Sequence, residues 1–137
     1  MEFNYNIEGG NFSQAGAASS EVKKILKQLN VDPSVIKRIV VALYEAEVNV
    51  VAHAYEGIMS VVLNPQSIEV TITDKGPGIP DIPLAMQEGY STASPKVREM
   101  GFGAGMGLPN IKKNCDQLEI SSKVNEGTIV KMTTYFN

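Results

Sequence analysis

The sequence predicts an α+β fold in which three helices pack on one face of a mixed, mostly antiparallel sheet to form a two-layer sandwich. Short segments of alternating apolar and polar residues, typical of strands with one buried face, occur at the start and in the second half of the chain. Two long segments with helical spacing separate them. A chain of 137 residues, 43% of them apolar, is the size of one compact domain, so we expect a single domain over 1–137.

The first half of the chain contains one strand followed by two helices. Alternation over 3–7 predicts a short strand, and the Ala-rich stretch 12–29 has the spacing of a helix. Asp32 and Pro33 then form a typical helix start, with Asp as the N-cap and Pro at the first helical position. The spacing of apolar residues extends this second helix to about Tyr55.

The second half of the chain predicts most of the sheet. Two antiparallel pairs of strands are expected at 59–63 with 68–73 and at 117–123 with 128–135. Between the pairs, the stretch 74–107 is rich in Gly and Pro, which predicts a long, mobile loop with a short helix at 82–87. A third helix is expected at 108–115.

Composition excludes several classes of function. The net charge of −3 and the absence of a basic run give no electrostatic attraction to a phosphate backbone, so no nucleic-acid partner is expected. The single Cys115 rules out an internal disulfide, and the single His53 rules out two-histidine zinc motifs. The start of the chain lacks a basic region followed by an apolar one, and no apolar run reaches about 18 residues. We therefore expect a cytoplasmic protein that does not enter the membrane.

The second helix carries the first candidate site residues. The residues expected on its buried face are Ile36, Ile39, Val40, Leu43, Val50, Val51 and Ala54. Glu45, Asn49, Ala52 and Glu56 fall on the opposite side. Because Glu45 and Asn49 are four residues apart, they can present a carboxylate and an amide to one ligand. In isolation such a pair is more often part of a solvated helix face, so the other motifs must decide.

The second motif is the segment 74–79, directly after a predicted strand. The carboxylate of Asp74 only accepts hydrogen bonds and could therefore bind an exocyclic amine such as that of adenine. Gly76 and Gly78 would let a base approach the backbone closely. A simple turn explains this motif about equally well when it is taken alone.

The third motif is the glycine-rich segment 101–108, which leads into the third predicted helix. Exposed backbone N–H groups and the positive end of a helix dipole together form a cradle for phosphate. A flexible lid without a ligand is the alternative. It is the weaker explanation, because glycine at four alternate positions costs conformational entropy on folding.

In this order, the three motifs resemble the N, G1 and G2 boxes of the Bergerat ATP-binding fold of the GHKL superfamily. The segment 44–55 resembles the anti-sigma-factor serine/threonine kinases, whereas 74–82, 88–92 and 103–109 resemble the stressosome switch kinases. The resemblance covers nearly the whole chain and is strongest over 40–130. The sequence contains neither a Walker A loop nor the motifs of ordinary protein kinases.

The resemblance implies a role for each motif. Glu45 would act as the catalytic base or orient the attacking hydroxyl, and Asn49 would bind both the nucleotide and Mg²⁺. The other implied nucleotide contacts are His53, Asp74, Gly76, Gly78, Ile79, Thr92, Gly103, Ala104, Gly105, Met106, Gly107 and Leu108. A histidine at the place of His53 is more often structural than a ligand, so its role stays open.

The function implied by the resemblance is that of an MgATP-dependent serine/threonine protein kinase in a bacterial partner-switching system. Its substrate would be a STAS-domain protein similar to anti-anti-sigma factors, and it would sequester a sigma factor or another regulator. One alternative is a nucleotide-gated binding module with little kinase activity. Another is an isolated ATPase domain similar to that of histidine kinases, against which Glu45 argues. Relatives are commonly dimers, which makes a homodimer one expected assembly.

Two departures from the family pattern concern charged residues. Glu47 lies near the apolar face of the second helix, where an unpaired buried carboxylate would be costly, so we expect it to reach a rim or a partner surface. Gly103 stands where anti-sigma-factor kinases place an arginine that touches the terminal phosphate. Lys96 or Arg98 could supply that charge, although a solvated lid charge explains either residue alone.

Overall fold

The computed structural model describes residues 1–87 and 107–137. Within these residues the elements follow in the order β1 (Glu2–Glu8), α1 (Ala17–Gln28), α2 (Pro33–His53), β2 (Glu56–Leu63), β3 (Ser67–Lys75), α3 (Ile82–Ala85), α4 (Gly107–Lys113), β4 (Gln117–Lys123) and β5 (Gly127–Tyr135). The predicted α+β class is confirmed.

The strands of the described residues form one sheet in the order β1-β2-β3-β5-β4. Every neighbouring pair is antiparallel, so this sheet is not mixed. Residues on β2 and β3 alternate between buried and more exposed positions, with Met59 and Ile72 among the fully buried ones. The buried face packs under the helices, and α2 contacts both α1 and α4. The core therefore lies between the sheet and α2.

The sheet order makes β3 the central strand of the sheet. β3 pairs with β2 on one side and with β5 on the other, so Asp74 lies opposite Gly57 while Thr73 lies opposite Ile129. None of the helices in the two described ranges is long and apolar enough to cross a membrane.

The start of α1 differs from the prediction of one continuous helix over 12–29. Residues Phe12–Gln14 form a short 3₁₀ helix, and α1 begins at Ala17. Gly16 separates the two because its φ of +93° is a left-handed conformation that an α-helix cannot contain. A Cβ on Gly16 would also lie 3.0 Å from Cε1 of Tyr44, so glycine fits here for two reasons.

The helix α2 begins at Pro33 as predicted, and the carboxylate of Asp32 accepts a hydrogen bond of 2.8 Å from the backbone N–H of Ser34. It ends at His53, two residues earlier than predicted. The backbone N–H of Tyr55 donates to the carbonyl of Lys75 at 2.8 Å and joins the chain to the sheet. The expectation that Glu56 lies on this helix is wrong, because Glu56 is the first residue of β2.

The prediction that Glu47 reaches a rim or a partner surface is wrong. Glu47 is 2% exposed. Its carboxylate accepts hydrogen bonds from the backbone N–H groups of Gly16 (3.0 Å), Ala18 (3.2 Å) and Ser19 (2.9 Å), and from the Ser19 hydroxyl (2.6 Å). The first N–H groups of a helix have no partner within the helix, and here a carboxylate from α2 satisfies them. Burial of Glu47 is therefore compensated.

Candidate nucleotide site

Side chains and turns from three parts of the chain meet around the C-terminal half of α2. At the start of α4, a Cβ on Gly107 would lie 2.9 Å from Oδ1 of Asn49. After β3, a Cβ on Gly76 would lie 3.0 Å from Cα of Ala54. Described residues of all three sequence motifs therefore border one region. Of the third motif, only residues 107 and 108 are among them.

Glu45 lies one turn before Asn49 on α2, and neither is among the fully buried residues of that helix. Its side chain is half-buried and hydrogen-bonds to the side chain of Asn110 on α4. Burial raises the pKa of the Glu45 carboxyl, and the hydrogen bond from Asn110 opposes part of that rise. A carboxylate with a raised pKa is a stronger base near neutral pH, which suits proton abstraction from a hydroxyl.

The Asn49 amide faces the start of α4. It has no hydrogen-bond partner within residues 1–87 and 107–137, and no polar side-chain atom of those residues is both buried and unpaired. A Cβ at position 107 would lie 2.9 Å from Oδ1 and 3.2 Å from Nδ2 of Asn49, so glycine there leaves room at the amide oxygen. Such an oxygen is free to bind a cation or a ligand N–H.

Asp74 lies near the end of β3, where its Oδ1 accepts a hydrogen bond of 3.1 Å from the backbone N–H of Thr128. Burial raises the pKa of its carboxyl, and the hydrogen bond from Thr128 lowers it in part. No described residue donates to its Oδ2. One oxygen is thus fixed by the protein and the other can accept a hydrogen bond from a ligand.

The turn after Asp74 is held against the turn between β4 and β5. Gly78 has a φ of +77°, and a Cβ there would collide with the carbonyl of Lys123. The backbone N–H of Ile79 donates to the Ser122 hydroxyl at 2.7 Å, and the carbonyl of Pro77 accepts from Asn125 at 2.8 Å. These contacts hold the segment 74–79 as a turn, which is one of the two interpretations offered for it by the sequence.

His53 is the last residue of α2 and lies one turn beyond Asn49. Its ring is half-buried, and burial lowers its pKa. The imidazole is therefore neutral at pH 7 and carries one donor and one acceptor nitrogen.

Leu108 and Ile111 of α4 are buried in the core, so the Leu108 side chain does not face the candidate site. A nucleotide contact at Leu108 would have to involve its backbone. Other predicted residues lie outside the described residues, as does most of the predicted mobile loop: Thr92, Lys96, Arg98, Gly103, Ala104, Gly105 and Met106.

Sequence reasoning missed three polar residues that position the site. Asn110 bonds to Glu45, the Thr128 backbone bonds to Asp74, and Ser122 links the Ile79 backbone to the Thr128 hydroxyl. Asn110 falls one turn after Gly107, a spacing that could have suggested a second polar residue on α4. Nothing local singles out Ser122 or Thr128, because their partners come from a different strand.

A family model described as "Histidine kinase-like ATPase domain" matches residues 11–134. The chain belongs to this family. The resemblance to GHKL ATPases is thereby confirmed, and membership in a histidine kinase-like ATPase family implies that the chain uses a nucleotide.

Two curated relatives are similar to this chain over most of their length. An anti-sigma F factor of Thermoanaerobacter sp. (strain X514) is 31% identical over 140 residues, covering 98% of this chain and 92% of the relative. The serine/threonine-protein kinase RsbT of Bacillus subtilis (strain 168) is 29% identical over 119 residues, covering 84% of each.

Two solved structures share the fold. The RsbU and RsbW domains of a Mycobacterium tuberculosis protein match with a TM-score of 0.66 and 16% identity, covering 98% of this chain and 32% of that one. A mycobacterial sensor histidine kinase, MprB, matches with a TM-score of 0.53 and 18% identity, covering 98% of this chain and 97% of that one. At these identities the likeness concerns the fold alone.

Proposed function

We propose that this ATPase domain binds MgATP beside α2 and transfers the γ-phosphoryl group to a serine or threonine hydroxyl of a partner protein. The observation that carries the proposal is Glu45, a half-buried carboxylate with a raised pKa that lies one turn from the amide of Asn49 on α2. Similarity to a protein named a serine/threonine-protein kinase supports the same reaction.

In this proposal the adenine lies against the turn that follows β3. The free oxygen of Asp74 accepts a hydrogen bond from the exocyclic amine, while the Thr128 backbone holds the other oxygen. The half-buried surroundings favour this contact, since a hydrogen bond to a charged group is stronger away from water. Gly76, Gly78 and Ile79 supply the backbone beside the base.

The phosphates lie between α2 and the start of α4. The residues proposed to hold them are Asn49, His53, Thr92, Gly103, Ala104, Gly105, Met106, Gly107 and Leu108. The side-chain oxygen of Asn49, beside Gly107, suits a Mg²⁺ ligand, because Mg²⁺ prefers a few protein oxygens together with phosphate and water. When bound, Mg²⁺ would neutralise part of the phosphate charge.

Glu45 receives the proton of the attacking hydroxyl or orients that hydroxyl toward the phosphate. A serine hydroxyl must lose its proton as it attacks, so a carboxylate within hydrogen-bond reach helps the reaction. The side chain of Asn110 interacts with this carboxylate and favours its charged form. A histidine acceptor has less need of such a group, which is why we prefer hydroxyl transfer over histidine transfer.

We propose that the protein substrate is a STAS-domain protein similar to anti-anti-sigma factors. We further propose that a sigma factor or another regulator is the second partner in a partner-switching system. Similarity to an anti-sigma F factor over 98% of this chain supports that partner class. The same similarity favours a second candidate function, in which the domain mainly sequesters its partner in a nucleotide-dependent way.

The test is incubation of the purified protein with labelled MgATP and STAS-domain proteins from the same organism, comparing the wild type with Glu45→Gln. We expect phosphoserine or phosphothreonine in the wild-type reaction and a rate about 10²-fold lower in the variant, because Gln cannot accept the proton. Glu119→Gln, an exposed position on β4, is the matched control.

Transfer that continues at the wild-type rate in Glu45→Gln would contradict the role of Glu45. Tight nucleotide-dependent binding of a partner without any transfer would instead support the sequestering function.

A further inference from the structure

Glu47 on α2 is hydrogen-bonded to residues at the start of α1, which are distant from it in sequence. Its carboxylate on α2 accepts from the backbone N–H groups of Gly16, Ala18 and Ser19 and from the Ser19 hydroxyl, at 2.6 to 3.2 Å. No side chain of α1 caps its own start, and the first turn of α1 contains no acidic residue. Glu47 therefore supplies the cap of α1 from another helix.

The position of Glu47 on α2 places this cap opposite the candidate site. Glu47 is two residues from Glu45 and two from Asn49, which at about 100° per residue puts it on nearly the opposite side of the helix. On the site side, Glu45 bonds to Asn110 and Asn49 packs against Gly107. The turn 45–49 is thus held between α1 on one side and α4 on the other.

The remaining contacts of α2 with α1 and the sheet are largely apolar. Apolar burial is non-directional, so it resists separation of two helices better than it resists a small rotation or slide. Hydrogen bonds depend steeply on distance and angle and resist both movements. Glu47 is the buried group that fixes the rotation of this turn through such bonds.

We propose that Glu47 is a positioning residue for phosphoryl transfer, which it supports by holding the turn 45–49 of α2 in register with α1. The inference rests on the function proposed above. Reactions that depend on alignment lose about 10²-fold in rate when reacting groups are misplaced by 1 Å. Loosening of this clamp should therefore slow the chemical step by displacing Glu45, while the contacts around Asp74 stay in place.

The test measures kcat for phosphoryl transfer and the Kd for MgATP in a graded series. Ser19→Ala removes one of the four hydrogen bonds and leaves the carboxylate with three backbone donors. Glu47→Gln keeps the size of the side chain but turns an amide NH₂ toward backbone N–H groups. We expect kcat to fall a few-fold in Ser19→Ala and about tenfold or more in Glu47→Gln. The Kd should change less than kcat in both variants.

A double variant separates the cap from the link between helices. Glu47→Ala combined with Ser19→Asp returns a carboxylate to the first turn of α1, but that carboxylate is no longer attached to α2. We expect the double variant to recover thermal stability relative to Glu47→Ala while kcat stays low. Leu26→Ala, a fully buried position on α1, is the destabilised control and should keep its kcat when assayed well below its unfolding temperature.

Recovery of both stability and kcat in the double variant would overturn the inference and leave Glu47 a purely structural cap. A kcat equal to that of the wild type in Ser19→Ala and Glu47→Gln would overturn it as well. Both results leave the proposed kinase function intact. A wild-type protein that transfers no phosphate would instead remove that function, and this inference with it.

Discussion

Glu45 and Glu47 lie two residues apart on α2 but have different environments. Glu47 is 2% exposed and its carboxylate accepts four hydrogen bonds. Glu45 is half-buried, and Asn110 is the partner that moderates the rise of its pKa. One carboxylate is fully satisfied by the protein, whereas the other has acceptor capacity left for a ligand.

The contrast separates residues that hold the fold from residues that are available for chemistry. Buried polar groups are normally satisfied, so a partly desolvated group with spare capacity indicates a site. Asp74 belongs with Glu45, because one of its oxygens accepts from Thr128 and burial raises its pKa. Asp116 belongs with Glu47, because Arg38 and the Tyr135 backbone bind both of its oxygens and lower its pKa.

The contrast is tested first at Asp74, where we expect the largest effect on nucleotide binding. Asp74→Asn keeps an acceptor for the Thr128 N–H but turns an NH₂ group toward the adenine amine. The Kd for MgATP, measured by calorimetry, should rise about 10- to 100-fold, as expected for loss of a hydrogen bond to a charged group. Glu69→Gln, a partly exposed position on the same strand that pairs with Lys131, should bind like the wild type. Equal affinities in both variants would remove Asp74 from the site.

A smaller effect is expected at Gly107, where the absence of a side chain leaves room for the Asn49 amide. In Gly107→Ala the new Cβ would lie 2.9 Å from Oδ1 and 3.2 Å from Nδ2 of Asn49, so the amide must move. We expect the Kd for MgATP to rise about tenfold, equivalent to ~1.4 kcal/mol. Helix propensity alone favours Ala over Gly by about 1 kcal/mol, so unfolding of α4 would not explain the higher Kd. An unchanged Kd would show that the Asn49 amide does not need its present position.

Much of the fold could be predicted from local patterns. Alternation of apolar residues predicts β4 with the bounds found in the structure, and the Asp-Pro pair predicts the start of α2. The start of α1 could not be predicted in the same way. There the left-handed Gly16 and the distant carboxylate of Glu47 override a sequence that reads as helical from residue 12.

The candidate site could be predicted only where one segment carries its own chemistry. Glu45, Asn49 and Asp74 stand out because their spacing or their place after a strand is visible locally. The hydrogen-bond partners of a side chain cannot be predicted from the neighbouring sequence. The donors to Glu47 lie 28 to 31 residues away, and the donor to Asp74 lies 54 residues away. Sequence spacing therefore identifies candidate polar groups, but it cannot show which of them keep hydrogen-bonding capacity for a ligand in the folded protein.

The most direct test of this distinction is the free energy of unfolding of Glu45→Gln against that of the wild type between pH 4 and pH 8. Because the folded-state pKa of Glu45 is raised, ionisation of its carboxyl opposes folding, and this penalty develops as the pH rises above the unfolded-state pKa. The uncharged variant avoids the penalty and can still accept a bond from Asn110. We predict that Glu45→Gln is at least as stable as the wild type at pH 7, with an advantage that grows as the pH rises from the unfolded-state pKa to the folded-state pKa and is constant above it. A variant that is less stable than the wild type at pH 7 would contradict the account, because Glu45 would then be a structural carboxylate like Glu47.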